Sequence, residues 1–189
     1  AFWLDPHWGQ RALFTGTAPA TGSSLTATTA PTLAQSRAGR AGMAEVLFNG
    51  NVRAKPVIIV AGRSDALIPV NHAARAYVAY NRVTEGASTR LRYVEVVNAQ
   101  HFDAFLTFSG FDSRFVPLHP YFVQAMDAMY AHLKNGTALP PSQVVRTTPR
   151  GGLPGAAPAI AASNVPPFSS TPAAGNVISF AGTSLSVPN

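Results

Sequence analysis

Hydrophobic and polar positions follow two different periods along the central part of the chain. A short, continuous apolar run at 56–61 is rich in β-branched residues and predicts a buried strand of a parallel sheet. Apolar residues at helical spacing follow at 71–82 and predict a helix. Residues 90–97 alternate and then become apolar, which indicates a second strand. The order strand, helix, strand predicts an α/β fold in which adjacent parallel strands are joined by a right-handed crossover helix.

The clearest helix is predicted at 120–135. Pro120 stands at its start, and Gly136 stops it. Large apolar side chains share one face of this helix, namely Phe122, Met126, Met129, Tyr130 and Leu133. A shorter helix is predicted at 39–50, where an Asn-Gly pair suits a left-handed cap.

Long segments near both ends of the chain lack a sustained period. Residues 12–36 carry no charge and consist mostly of small and hydroxyl-bearing residues, which predicts a loop. Residues 137–176 are also predicted to be mostly loop. The chain then ends in two short stretches, 177–180 and 184–187, which predict a hairpin around Ala181-Gly182.

These patterns divide the 189 residues into three parts within one domain. The chain begins Ala1-Phe2-Trp3, without an initiator methionine or a signal pattern, which we interpret as the start of a fragment or of a processed product. The parts are an N-terminal segment that continues an upstream region (1–54), a core that carries the chemistry (55–136) and a Pro/Gly-rich tail (137–189).

Charge and cysteine content exclude several kinds of function. Lysine and arginine exceed aspartate and glutamate by 14 − 8 = 6 residues, but they are scattered and form no stripe that would favour nucleic-acid binding. The absence of cysteine excludes a disulfide framework and a cysteine nucleophile. No apolar run is long enough to span a membrane. The histidines lack the spacing of a metal site, and no cofactor is predicted.

Two residues with catalytic potential follow the two predicted strands. Asp65 comes soon after the first strand, and His101 comes soon after the second. Because the carboxyl ends of parallel strands open at one edge of a sheet, both side chains are expected there. A carboxylate fixes the tautomer of a histidine that removes a proton from a serine. We therefore predict an Asp65 oxygen within about 3 Å of a ring nitrogen of His101. A capping aspartate and a hydrogen-bonded loop histidine are the structural alternatives.

The sequence contains no G-x-S-x-G motif, which marks the nucleophile of many hydrolases. The nearest approach is Gly62-Arg63-Ser64-Asp65-Ala66, directly after a predicted strand. A nucleophilic serine at such a turn leads at once into a helix, and Pro69 follows Ser64 too closely for that. We therefore expect the nucleophile, the oxyanion hole and most of the sheet upstream, so that the chain is inactive by itself.

Other side chains have less specific interpretations. Asp103 is an alternative partner for His101, although its neighbours favour a loop or short-helix position at the surface. Phe102 and Phe105 belong to a series of phenylalanines that favours core packing, and they are also candidates for an apolar wall that binds substrate. The remaining histidines are interpreted as a surface residue, a helix cap and a residue on the exposed side of a helix, at His72, His119 and His132.

Three stretches resemble a known family. The C-terminal region of D-(−)-3-hydroxybutyrate oligomer hydrolases is similar to KPVIIVAGRSDALIPVNHAARAYVAYNR at 55–82, to LRYVEVVNAQHFDAF at 91–105 and to the stretch at 108–151. The resemblance implies a secreted or periplasmic serine esterase of the α/β-hydrolase fold that cleaves short oligomers of 3-hydroxybutyrate. It also implies that Asp65 and His101 are the acid and the base of the triad.

The predicted fold is therefore α/β, the C-terminal portion of an α/β-hydrolase fold with parallel strands, a crossover helix and long irregular segments. The predicted substrate is a small-molecule ester, and the expected partner is the upstream part of the same protein. One alternative is a tannase-like or feruloyl-esterase-like enzyme; a pocket lined by arginine or lysine would favour the oligomer instead. Another is a non-catalytic binding or surface domain, which a large separation of Asp65 from His101 would favour.

Overall fold

The structure is a computed structural model that describes residues 33–189. The chain divides into two compact units between Phe48 and Asn49. Helix α1 spans Leu33–Glu45 and belongs to the first unit. The predicted helix at 39–50 is therefore shifted toward the N-terminus, because the leucine, alanine, glutamine and arginine before it are good helix formers. The rest of the predicted loop at 12–36 lies outside the described residues.

The second unit is built on a three-stranded parallel sheet. Strand β1 spans Val57–Gly62, β2 spans Leu91–Val96 and β3 spans Gln143–Val145, in the order β1-β2-β3. Strands β1 and β2 pair in parallel, with Val57 opposite Leu91. The prediction of two adjacent parallel strands, and with it the α/β class, is confirmed.

Helices fill the connections between these strands. Helix α2 spans Ala74–Glu85 between β1 and β2, and the predicted helix at 71–82 therefore begins later than expected. A turn precedes it, in which the backbone amide of His72 donates to the carbonyl of Pro69. Between β2 and β3 lie the short helix α3, Phe111–Arg114, and helix α4, His119–Asn135.

Strand β3 is a short regular element within 137–176, the segment predicted to be mostly loop. Its three residues, Gln143–Val145, pair in parallel with β2. A strand this short has too few positions to show a period, so pairing with β2 alone reveals it. The rest of 137–176 is irregular apart from one 3-10 turn at Ala174–Asn176, as predicted.

The predicted terminal hairpin is confirmed. Strands β4, Ser179–Ala181, and β5, Ser184–Ser186, pair in antiparallel fashion. The turn lies one position later than expected, at Gly182 and Thr183. Gly182 has a φ of +62°, a conformation that costs glycine little and other residues more.

Apolar clusters cover both faces of the sheet. Helix α2 and the terminal hairpin pack on one face, which receives Tyr93 of β2. Helix α4 packs on the other face, which receives Val94 and Val96. All three side chains are fully buried, so β2 has the two-sided burial typical of a parallel sheet.

Helix α4 packs through a different face from the one that its large apolar residues mark. Tyr121 and Ala125 are buried against the sheet, and the Tyr121 hydroxyl donates to the carbonyl of Pro166 at 3.0 Å. Burial raises the pKa of Tyr121 to about 12. Of the large apolar side chains that share one face in the sequence, Phe122, Met126, Tyr130 and Leu133 are exposed, and Met129 is half-buried.

His132 was expected on the exposed side of this helix, and that expectation is wrong. Its ring lies 2.7 Å from the Arg90 guanidinium and 2.7 Å from the Thr137 carbonyl, and it is half-buried. The expectation failed because α4 packs on the sheet through the side that carries Tyr121 and Ala125, and not through the side with its largest apolar residues.

Candidate active site

Backbone hydrogen bonds join the loops that follow β1 and β2. The amide of Arg63 donates to the carbonyl of Val96 at 2.8 Å, and the amide of Ser64 donates to the carbonyl of Ala99 at 3.0 Å. A Cβ atom on Gly62 would overlap the Ala99 carbonyl group. The absence of a side chain at Gly62 therefore permits the close approach that aligns the two loops.

Asp65 and His101 meet where these loops join. The Oδ2 atom of Asp65 lies 2.7 Å from the Nδ1 atom of His101, so the predicted distance is confirmed. The Oδ1 atom accepts backbone hydrogen bonds from Leu67 at 2.9 Å and Ile68 at 2.8 Å. The aspartate is 11% exposed and the histidine 25%. One carboxylate oxygen is thus fixed by its own turn, while the other faces the imidazole.

The backbone before His101 is fixed by its neighbours. Asn98 has a φ of +58°, a left-handed conformation that asparagine tolerates better than most residues. Its side-chain amide donates to the carbonyl of Thr147 at 3.2 Å, and its own carbonyl accepts from the Val116 amide at 2.8 Å. These contacts tie the histidine loop to the segments that follow β3 and precede α4.

The hydrogen bond to Asp65 determines what His101 can do. With Nδ1–H directed at the carboxylate, the neutral ring keeps Nε2 as its proton acceptor. An imidazolium formed at Nε2 would be stabilised by the adjacent negative charge. The hydrogen bonds of the described residues pair His101 with Asp65, and none of them joins the Ser64 hydroxyl to the His101 ring.

An open groove of about 610 Å³ lies beside His101. Besides the histidine, its lining is mainly apolar and aromatic and consists of Val60, Phe102, Asp103, Leu118, His119 and Phe122. No lysine or arginine occurs among these lining residues. The criterion of a basic pocket for a carboxylate end is therefore not met by this groove.

The two phenylalanines considered as substrate contacts have different positions. Phe102 is exposed and lines the groove, and its ring lies edge-on to His101 with 4.3 Å between centroids. Phe105 does not line the groove. Its ring packs among Phe102, Phe108 and Phe111, with centroids 5.6–6.0 Å apart. A role of Phe102 in binding substrate stays a prediction. Phe105 packs against other phenylalanines, as the core-packing interpretation expects.

Asp103 has a structural partner other than His101. It begins a 3-10 turn, Asp103–Thr107. Its carboxylate accepts hydrogen bonds from the backbone amides of Leu118 at 2.7 Å and His119 at 2.9 Å. These amides lie at the start of α4 and have no acceptor within the helix. Asp103 therefore caps α4 from a distance and holds one wall of the groove.

A buried ionic cluster beneath the Asp65 loop was not predicted. Glu95 of β2 is fully buried and accepts hydrogen bonds from Arg75 at 2.6 Å, from the Tyr93 hydroxyl at 2.7 Å and from Arg63. Burial opposes its ionisation, but the hydrogen bonds from Arg75, Tyr93 and Arg63 outweigh that effect and lower the pKa of Glu95.

The Glu95 cluster is also linked to the C-terminal end of the chain. Arg63, which precedes the Asp65 turn, also donates to the carbonyl of Pro188 at 2.7 Å. One signal for the cluster was present in the sequence, because a glutamate inside an apolar strand needs a partner. The pattern does not identify which arginines supply it.

Two other kinds of site were sought in residues 33–189. No helix there is long and apolar enough to cross a membrane. No cluster of three or more histidine, aspartate and glutamate side chains with the arrangement of a metal site occurs in that range.

Comparison with known proteins assigns the chain to a family. Residues 2–189 match the family described as 3HB-oligomer hydrolase. Curated relatives named D-(−)-3-hydroxybutyrate oligomer hydrolase include those of Burkholderia ambifaria, 59% identical over 76% of this chain and 20% of that protein, and Paracidovorax citrulli, 55% identical over 82% of this chain and 23% of that protein.

The relative of Paraburkholderia xenovorans is 57% identical over 76% of this chain and 20% of that protein. The chain thus spans about a fifth of the length of these relatives. No solved structure matches it. Because the family match extends over nearly the whole chain and more than half of the aligned residues are identical, this chain belongs to the 3HB-oligomer hydrolase family.

Proposed function

We propose that this chain supplies the acid and the base of a Ser-Asp-His triad in an enzyme that hydrolyses short 3-hydroxybutyrate oligomers. The observation that carries the proposal is the 2.7 Å contact between Asp65 and His101 at the carboxyl edge of a parallel sheet. The names of the relatives supply the substrate class. The serine comes from the remainder of a longer polypeptide with an α/β-hydrolase fold, in a secreted or periplasmic enzyme.

The chemistry follows from the two ends of the imidazole. The Nε2 atom of His101 takes the proton of the serine hydroxyl as the serine oxygen attacks the ester carbonyl, and Asp65 stabilises the resulting imidazolium. As the ester C–O bond breaks, the imidazolium gives that proton to the alkoxide oxygen of the departing hydroxybutyrate unit, which leaves with a hydroxyl group. Water hydrolyses the acyl-enzyme with His101 again as base, which releases the acid and restores the serine.

The groove beside His101 suits the methyl-bearing chain of such an oligomer. Phe102, Leu118 and Phe122 offer apolar contact to methyl and methylene groups. The lining residues of this groove include no lysine or arginine, so they offer no charge partner to the carboxylate end of the oligomer.

A phenolic ester is the second candidate substrate, because aromatic side chains at Phe102, His119 and Phe122 offer surfaces on which a ring could stack. A purely non-catalytic binding domain has less support. Such a domain has no need for a carboxylate held on one oxygen and paired with histidine on the other.

Substrate release decides between the two esters. The assay uses the enzyme extended upstream to the length of its relatives, hereafter the extended enzyme. It should release 3-hydroxybutyrate from the dimer and trimer and act only slowly on methyl gallate and methyl ferulate. Hydrolysis of the phenolic esters alone would show that the oligomer assignment is wrong, and inertness toward both would show that the enzyme assignment is wrong.

A further inference from the structure

Helix α4 carries a row of large apolar side chains on its outer face. Its members are 54–70% exposed: Phe122 54%, Met126 57%, Tyr130 63% and Leu133 70%. Their spacing places them on one face of the helix, and we call this row the outer face of α4. Single exposed apolar residues are ordinary, but a continuous row marks an interaction surface.

The outer face is continuous with the candidate active site. Phe122, its first member, lines the groove beside His101. Leu67 and Ile68 follow Asp65 in its turn, and both are also more than half exposed. Uncovered apolar surface thus flanks the acid–histidine pair on the side of α4 and on the side of the Asp65 turn.

The dimensions of the outer face favour a protein occupant over a substrate. From Phe122 to Leu133 the helix rises about 16 Å, at 1.5 Å per residue. A short ester in the groove would contact Phe122 and leave Tyr130 and Leu133 in water. Burying the whole row requires a second apolar surface of similar length, such as a helix or strand.

We infer that the outer face of α4 is an intramolecular interface, covered by an apolar surface from the remainder of the same polypeptide. The chain spans about a fifth of the length of its relatives, so ample polypeptide exists to cover it. The same contact would close the groove at Phe122 and bring the nucleophile toward the Nε2 atom of His101. Only this last consequence rests on the proposed function.

Hydroxyl-radical footprinting of the extended enzyme tests the interface without any need for activity. Tyr80 on α2 is the internal reference, because it is 46% exposed and lies outside the outer face. Met126 and Tyr130 should be oxidised several-fold more slowly than their exposure in this structure implies, relative to Tyr80. Oxidation of Tyr130 as fast as that of Tyr80 would overturn the inference.

Two further footprinting outcomes would show that something other than the same polypeptide covers the outer face of α4. Protection that disappears on dilution would show that a second copy covers the outer face. Protection that appears only when a 3-hydroxybutyrate trimer is added would show that substrate does. Protection in an enzyme that hydrolyses nothing would support the interface and overturn the proposed function alone.

A pair of charge substitutions in the extended enzyme provides the second test. Met126→Glu should lower the thermal midpoint and the rate of oligomer hydrolysis, because the charge would be buried. Val83→Glu on α2, at a position 59% exposed, is the matched control and should leave both near wild type. Equal, small effects of the two substitutions would overturn the inference, and if Met126→Glu fails to fold, the footprint decides.

Discussion

The two oxygens of the Asp65 carboxylate have different partners, and this division explains its proposed role. Backbone amides hold Oδ1, while Oδ2 meets Nδ1 of His101. The sequence predicted this pair because both residues lie in the loops that follow two neighbouring strands, where a parallel sheet brings loops together. It did not predict the Glu95 cluster, since the pairing of Glu95 with Arg63 and Arg75 depends on three-dimensional proximity.

Substitutions at the pair should have unequal effects on catalysis. In the extended enzyme, His101→Ala should lower kcat by about 10³-fold or more, because it removes the base, and Asp65→Asn should lower it somewhat less. Ser64→Ala should change kcat little. The measurement is the rate of hydroxybutyrate release, with His72→Ala as the control histidine. Full activity in His101→Ala would end the catalytic assignment.

Glu95 provides a prediction about stability. Glu95→Gln removes the charge that compensates Arg63 and Arg75 and should cost about 2–3 kcal/mol, below the full cost of a wholly buried pair because both arginines are partly exposed. Asp127→Asn, at an exposed position, should cost little. Thermal midpoints of the extended enzyme and the two variants measure both effects.

The destabilisation by Glu95→Gln should depend on pH with a definite sign. Hydrogen bonds that outweigh burial lower the pKa of Glu95 in the folded state. The stabilisation by its charge is therefore present above the unfolded-state pKa of about 4.3 and is lost as the pH falls through the lower folded-state pKa. The gap between wild type and variant should be constant near neutral pH and narrow below about pH 4. A gap that widens in acid would contradict the account.

Among the secondary structure elements, length and burial determined what the sequence could predict. Strands β1 and β2 and helix α4 have enough residues for a clear period, and all three exist where expected. Strand β3 escaped prediction because its three residues show no period without their partner β2. The sequence did not show which side of α4 packs on the sheet. Its most apolar side, with Phe122, Met126, Tyr130 and Leu133, is exposed in the structure.

Gly62 sets the approach of the loops after β1 and β2. Gly62→Ala would place a Cβ against the Ala99 carbonyl group, so the loops must separate, at a cost of about 1–3 kcal/mol. The separation should also lengthen the contact between Asp65 and His101 and lower kcat more than it raises KM. Gly175→Ala, which meets open space, is the matched control. Wild-type kinetics in Gly62→Ala would show that the approach does not position the pair.

At the scale of the whole molecule, two members of the proposed triad lie in this chain and the third does not. A triad acts as a unit, so the loss of one member removes most of its rate advantage. The isolated chain should therefore hydrolyse neither 3-hydroxybutyrate oligomers nor nitrophenyl esters, and the extended enzyme should hydrolyse both. Hydroxybutyrate release by the two proteins at equal concentration measures the difference. Activity of the isolated chain would show that its own residues include the nucleophile.

Mapping the reactive serine tests most directly the claim that an outside serine works with Asp65 and His101. A fluorophosphonate probe reacts with the extended enzyme, and peptide mass spectrometry then locates the modified residue. The account predicts one labelled serine outside this chain, with labelling that is largely lost in His101→Ala and retained in Ser64→Ala. A label on Ser64, or undiminished labelling of an outside serine in His101→Ala, would contradict it.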